Sequence, residues 1–421
     1  MNIVLKCIEC GEEYPVDKLR YVCECGGLLE VVHPLDELDI DLEVFDERWG
    51  SRKFPYNSGV WRYKELIFPV DDKYIISRPE GNTQLYCSKK ISEFAGVEDF
   101  LLKHEGENPT GSFKDRGMTC GITHGNFLGA KTVACASTGN TSASMASYAA
   151  ISGKMDGVIF IPSGMIAFGK LAQALAYGAK TLQIDGNFDD AMALVQKASN
   201  SLGMYLLNSV NPFRIEGQKA IGFEALQQLD WKVPDWFVLP GGNLGNSTAL
   251  GKGLKELKEL GLIDKVPRIA VIQAHGANPL YKMWKEKKDF EAVDPHTVAT
   301  AIKIGNPVSW KKIERVLGWC DGVVEEVTDQ EIVDAKAVVD SAGIGAEPAS
   351  CATVAGLRKL VEAGTIKEDQ KVVGILTGNL LKDPELVVNY HMGKLEGLKS
   401  NYANAPIKVK ADLESVKKAL Q

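Results

Sequence analysis

From about residue 70 onward, short apolar runs alternate with longer stretches of helical periodicity. The runs are 132–136, 157–161, 181–184, 236–239, 269–272 and 372–376. They are continuous and rich in β-branched or aromatic residues, as expected for strands buried on both faces of a parallel sheet. Between them, residues 188–202, 214–229, 247–260 and 347–363 place apolar residues at helical spacing. Thr328 and Glu331 form a capping box ahead of another periodic run. This alternation predicts an α/β fold of open, twisted, mostly parallel sheets with helices on both faces.

The first 32 residues break this pattern and read as a separate small module. Residues 33–60 are acidic, then aromatic and basic, and predict an irregular connection. The tail from about residue 396 ends in a basic helical pattern and predicts a surface element. With 421 residues the chain is too long for one compact core, so two or more domains are expected.

Composition narrows the function. The formal net charge of -7 argues against nucleic acid or an anionic membrane as the main partner. No stretch approaches the ~20 apolar residues that span a bilayer. The opening MNIVLKCIECGEE lacks the long apolar centre of a secretion signal, so a cytoplasmic location is expected. Nine cysteines, five of them scattered, fit a reducing compartment better than a disulfide framework.

In a sheet of this type, ligands sit at the C-terminal ends of strands. Several apolar runs end there in small polar loops containing Gly-Asn: 137–140, 241–246 and 377–379. The middle loop reads Gly241-Gly242-Asn243-Leu244-Gly245-Asn246 and opens a helix. Glycines let backbone approach a ligand, and a helix start offers free N–H groups and partial positive charge. Together they suit a phosphate; a tight turn without a ligand is the alternative. The loop is neither a nucleotide P-loop nor a dinucleotide fingerprint, since it lacks their spacing.

The segment Asn108-Pro109-Thr110-Gly111-Ser112-Phe113-Lys114-Asp115-Arg116-Gly117 places a lysine just after a turn. Ser112 is positioned to cap a helix whose first turn holds Lys114. The positive end of that helix would lower the lysine pKa. Such a lysine can form a Schiff base with an aldehyde.

This segment resembles the cofactor-lysine motif of the β-family (fold type II) of pyridoxal-phosphate enzymes. The resemblance continues through residues 136–143, 241–246 and 377, and covers roughly residues 78–390. It implies that Lys114 carries pyridoxal 5'-phosphate and acts as the catalytic acid and base. Asn140 would meet the pyridine hydroxyl oxygen, and Gly241, Gly242, Asn243, Leu244, Gly245 and Asn246 the cofactor phosphate. Thr377 would face the pyridine nitrogen; a neutral hydroxyl there implies a milder electron sink than a carboxylate would give. Ser137, Thr138 and Thr141 would receive the substrate carboxylate.

Residues 208–219 resemble the branch of this family that acts on O-phosphohomoserine. Asn208, Ser209 and Arg214 would contact the substrate phosphate, with Lys170 a further candidate. Arginine suits a phosphate monoester through forked, charge-assisted hydrogen bonds. The implied reaction is β,γ-elimination followed by addition of water. The implied domains are 107–207, a small mobile unit carrying Lys114, and a large unit formed by 33–106 and 208–395, with 396–421 as tail. A homodimer is implied as well. Other family members, such as a hydroxyamino-acid dehydratase or a phosphoserine-dependent replacement enzyme, are the first alternative. A non-catalytic binding protein on the same fold is the second.

Cys7-x2-Cys10 and Cys23-x-Cys25 resemble a zinc ribbon, although the second pair has one intervening residue instead of two. Four thiolates would satisfy a tetrahedral structural zinc and leave no open position for catalysis. A ribbon-shaped module without metal is the alternative.

Overall fold

The computed structural model describes residues 2–163, 168–186 and 188–421, without the side chains of residues 168–170, 188 and 189. Two α/β sheets dominate it. The larger has six strands in the order Val323–Val327, Arg268–Ala274, Trp236–Pro240, Val372–Leu376, Phe100–His104, Leu85–Cys87. All its pairings are parallel except the last, where Leu85–Cys87 runs antiparallel at the edge. The smaller sheet is wholly parallel, in the order Lys180–Ile184, Asp156–Pro162, Thr132–Ala136, Tyr205–Leu206.

All six expected strands are present. Trp236–Pro240 and Val372–Leu376 are buried along their whole length, which is why they read as unbroken apolar runs. Four further strands carry weaker signals. Phe100–His104 ends in buried Lys103 and His104, and Val323–Val327 contains two glutamates. Leu85–Cys87 and Tyr205–Leu206 are three and two residues long. The expected helices occur at Phe188–Leu202, Pro212–Gln227, Gly245–Glu259 and Pro348–Glu362. The capping box is formed: Glu331 N donates to Thr328 Oγ1 at 3.2 Å, and Thr328 N to Glu331 Oε2 at 2.6 Å.

The helix Lys114–Phe127 packs on Pro212–Gln227 and on Asn140–Ser152, so it touches elements belonging to both sheets. Its approach to Pro212–Gln227 depends on a glycine: a Cβ at Gly217 would lie 1.9 Å from the Arg116 carbonyl oxygen.

The N-terminal module is a three-stranded antiparallel sheet of Val4–Cys7, Glu13–Pro15 and Leu29–Val32. It docks on both α/β units. Lys252 and Lys312 donate to the carbonyls of Val31 and Leu29 at 2.6 and 2.5 Å. Buried His33 pairs with Glu216 at 2.9 Å. On the other side, Leu206 N donates to the Tyr21 hydroxyl at 2.5 Å, and His124 Nε2 to the Val16 carbonyl at 2.8 Å. The C-terminal helix Leu413–Ala419 is exposed, as expected.

Candidate active site

The strand Val372–Leu376 delivers Thr377 to its C-terminal end, and the next three residues are gripped from both sides. Phe113 N donates to the Thr377 carbonyl at 3.0 Å, and Asn379 N to the Gly111 carbonyl at 2.9 Å. On the opposite flank, Glu347 N donates to the Gly378 carbonyl at 3.0 Å. Gly378 leaves room for a carboxylate: a Cβ there would fall 2.3 Å from Glu347 Oε1. The loop bearing Lys114, the end of this strand and the start of the helix Pro348–Glu362 therefore form one unit.

Lys114 is the first residue of its helix. Ser112 does not cap it. The cap position is Phe113, with no side-chain cap, and the buried Ser112 hydroxyl has no partner in the structure. Asp115 holds the turn instead, accepting from Thr110 N at 2.7 Å and Thr110 Oγ1 at 2.6 Å. The two carboxylate oxygens take one bond each, which fixes the turn ahead of the helix.

The Lys114 pKa is lowered to about 7, first by burial and then by the nearby Arg214 guanidinium, against an opposing pull from Glu347. Burial is thus the leading cause, where the sequence pointed to the helix end. The ammonium lies 3.9 Å from the centre of the Phe113 ring.

Arg214 is buried, and among the described residues it makes no ion pair. Its Nη1 donates to the Leu207 carbonyl at 3.0 Å, and its Nε has no partner. Burial lowers even this guanidinium's pKa to about 10. A buried cation without a counter-ion is costly, and an anionic ligand would relieve that cost.

The remaining expected residues fall around this pair. Asn140 starts the helix Asn140–Ser152, whose cap, Gly139, supplies no side chain; Ser137, Thr138 and Thr141 lie half-buried beside it. Ser209 is half-buried near Arg214 in sequence. Asn208 is occupied by backbone: its Oδ1 accepts from Ala136 N and its Nδ2 donates to the Ala136 carbonyl, both at 3.0 Å. That clamps the end of strand Thr132–Ala136 and leaves one amide hydrogen for a ligand. The Lys170 side chain lies outside the described residues.

The glycine loop also has an open character. Leu244 takes a left-handed φ of 64°, so the helix Gly245–Glu259 begins with no side-chain cap. The amide of buried Asn246 has no partner for either its oxygen or its nitrogen. Unsatisfied donors at an uncapped helix start fit an anionic group, and phosphate is the usual occupant of such loops. A Cβ at Gly241 would meet Val271 Cγ1 at 2.6 Å, so glycine is required by close packing there.

Thr377 is buried, and its hydroxyl contacts Ser350 Oγ at 2.9 Å and Glu347 Oε1 at 3.3 Å. Glu347 also accepts from Asn140 Nδ2 at 3.0 and 3.3 Å. Glu347 therefore joins the residue expected at the pyridine nitrogen to the one expected at the ring hydroxyl. Sequence reading missed it. The visible signal was a lone carboxylate ahead of Pro348 and a helix; its meeting with Thr377 depends on tertiary pairing.

At the N-terminus, all four cysteine sulphurs lie within 4.8 Å of one another. Cys7–Cys25, Cys10–Cys23 and Cys10–Cys25 are each 3.5 Å apart. Four thiolates around tetrahedral zinc stand about 3.7 Å apart, from Zn–S bonds of about 2.3 Å. The single residue between Cys23 and Cys25 does not prevent this clustering.

Three features thus lie near strand ends: an uncapped glycine loop, a buried arginine without an ion pair among the described residues, and a lysine of lowered pKa. The chain belongs to the pyridoxal-phosphate dependent enzyme family, which residues 76–378 match. A threonine synthase of Methanocaldococcus jannaschii is 45% identical over 419 residues, covering 99% of each chain. A threonine synthase of Methanosarcina acetivorans is 50% identical over 389 residues, covering 91% of this chain and 93% of the relative. The crystal structure of Escherichia coli threonine synthase shares the fold, with a TM-score of 0.72, 19% identity and 99% of both chains covered.

The lowered pKa has a kinetic consequence. Only neutral lysine attacks an aldehyde. The rate at which cofactor-free protein captures pyridoxal phosphate should rise as pH passes through about 7 and level off above it. Growth of the visible absorption band after rapid mixing reports this; a rate still climbing through the ordinary lysine range would show that Lys114 is not perturbed.

Proposed function

We propose that this chain converts O-phospho-L-homoserine and water to L-threonine and phosphate. The observation that carries this reading is buried Arg214, which makes no ion pair among the described residues and lies close enough to Lys114 to depress its pKa. The threonine synthases, similar over nearly the whole chain, support it. In this reading the C–O bond at the substrate γ-carbon breaks and phosphate leaves with the electron pair. A proton ends on the γ-carbon, and the oxygen of water on the β-carbon.

When bound, pyridoxal phosphate supplies an electron sink for carbanions next to the amino nitrogen. Lys114 holds the cofactor and, once freed by the substrate amine, moves protons at the α- and β-carbons as general base and acid. A pKa near 7 suits both directions of transfer at neutral pH. The loop Gly241–Asn246 receives the cofactor phosphate, Asn140 its ring oxygen, and Thr377 its ring nitrogen. The helix start behind Ser137, Thr138 and Thr141 binds the substrate carboxylate through N–H and hydroxyl donors. Arg214 and Ser209, with the spare hydrogen of Asn208, meet the departing phosphate; Lys170 is a further candidate. Residues 107–207 form a small unit that closes over the substrate and keeps water out until the leaving group has gone.

We further propose that Cys7, Cys10, Cys23 and Cys25 hold a structural zinc, that the chain works as a homodimer, and that it acts in the cytoplasm. No helix among the described residues is long and apolar enough to cross a membrane.

The protein supplied with pyridoxal phosphate should release threonine and phosphate in equal amounts from O-phosphohomoserine. Lys114→Ala should abolish this. Phosphate release from O-phosphoserine, without threonine from O-phosphohomoserine, would move the substrate to a shorter phosphorylated amino acid. Elemental analysis of protein purified without chelator should find one zinc per chain. A value near zero, in protein of full activity and stability, would remove the metal assignment.

A further inference from the structure

Beyond Lys114 and Arg214, a third cation lies against the loop that carries Lys114, and no role has yet been given to it. Lys382 lies five residues past Thr377, in the short 3-10 helix Leu380–Lys382. Its side chain crosses the loop that carries Lys114. A Cβ built on Gly111, whose φ is +82°, would lie 3.0 Å from Lys382 Cε and 3.7 Å from its Nζ. The lysine thus fills the space that the glycine leaves open.

The ammonium ends against a neutral group. Lys382 Nζ donates to Gln173 Oε1, and Gln173 Nε2 in turn donates to the Thr110 carbonyl at 3.2 Å. Among the described residues Lys382 makes no ion pair. The acids that bear on it are Glu347 and Asp115, and burial still pushes its pKa down. Both acids are engaged elsewhere, Asp115 by Thr110 and Ser144, Glu347 by Asn140 and Thr377. A half-buried lysine with only an amide for a partner retains unspent positive charge.

Position gives that charge a direction. Gln173 lies in the helix Phe168–Ala176, which follows strand Asp156–Pro162, the neighbour of strand Thr132–Ala136. The loop Ser137–Asn140 emerges from that neighbouring strand. Lys382 therefore stands on the side of the cleft away from Arg214, which follows the opposite neighbour, Tyr205–Leu206. The donors expected for the substrate carboxylate, Ser137, Thr138 and Thr141, are all neutral.

We propose that Lys382 is a substrate-binding residue, a cation at the mouth of the cleft that receives an oxyanion of the amino-acid substrate. This rests on the reading that the substrate is a phosphorylated amino acid, whose oxyanions are its carboxylate and its phosphate. Gln173 holds the ammonium until that oxyanion arrives. The charge adds attraction that neutral hydroxyls cannot provide.

The test compares wild-type holoenzyme with Lys382→Gln and Lys382→Arg, each confirmed by an intact visible cofactor band. Calorimetric titration with inorganic phosphate and, separately, with threonine measures binding without turnover. The wild type's own turnover of O-phosphohomoserine checks the underlying reading independently. Lys382→Gln should weaken at least one ligand about tenfold or more, the range of a charge-assisted hydrogen bond. Lys382→Arg should recover much of that loss. Weakening of phosphate assigns the substrate phosphate, and weakening of threonine assigns the carboxylate. The KM for O-phosphohomoserine should rise by a similar factor with kcat nearly unchanged. Unaltered affinity for both ligands, or equal loss in the Gln and Arg variants, would overturn the proposal.

Discussion

The guanidinium of Arg116 anchors the site. Fully buried, it makes a two-pronged pair with Glu105, at 2.6 and 2.7 Å, and reaches Glu224 at 2.8 Å. Arg62 and Lys103 close on the same Glu224 at 2.7 and 2.6 Å. Glu105 follows the strand Phe100–His104, and Glu224 lies on the helix Pro212–Gln227. This network fixes the first turn of the helix that begins with Lys114 to a strand end and to the helix bearing Arg214. Removing one partner would strand a buried charge, at a cost of about 3–5 kcal/mol. The network adds directional constraint where apolar packing alone would let the helix slide.

With that turn fixed, the neighbouring charges can remain unsatisfied. Glu105 and Glu224 are committed to Arg116, Arg62 and Lys103, so they do not neutralise Arg214 or Lys114. The carboxylate that opposes the lysine, Glu347, is itself held by Asn140 and Thr377. The result is a buried site with surplus positive charge and an uncapped helix start. Such a site is unstable on its own terms and selects for ligands bearing several negative charges. Cofactor phosphate, substrate carboxylate and leaving phosphate all answer that description.

The parts legible in the sequence are those whose physics is local. Strands buried on both faces show as apolar runs, and the glycine loop and the lysine turn are contiguous, so their chemistry can be read in one window. Ser112 does not cap the helix: the helix start carries no side-chain cap, and Asp115 instead ties the preceding turn at Thr110. Leu85–Cys87 and Tyr205–Leu206 were missed because two or three residues carry no period. Glu347 and Lys382 were missed for a different reason: each acquires its meaning from a partner far away in sequence, Asn140 for one and Gln173 for the other. The one-residue gap between Cys23 and Cys25 is irregular as a sequence pattern, yet both sulphurs join the same cluster.

On the proposed function, Arg214 is held buried, with no counter-ion among the described residues, to receive an anionic substrate. Replacing it with methionine, similar in length and uncharged, separates stability from function. Thermal unfolding of Arg214→Met holoenzyme, without phosphate in the buffer, should have a midpoint at or above that of the wild type, because a buried, unpaired charge is removed. The KM for O-phosphohomoserine should meanwhile rise at least about tenfold. A variant that unfolds at a lower temperature with its KM unchanged would contradict the account and make Arg214 a structural residue.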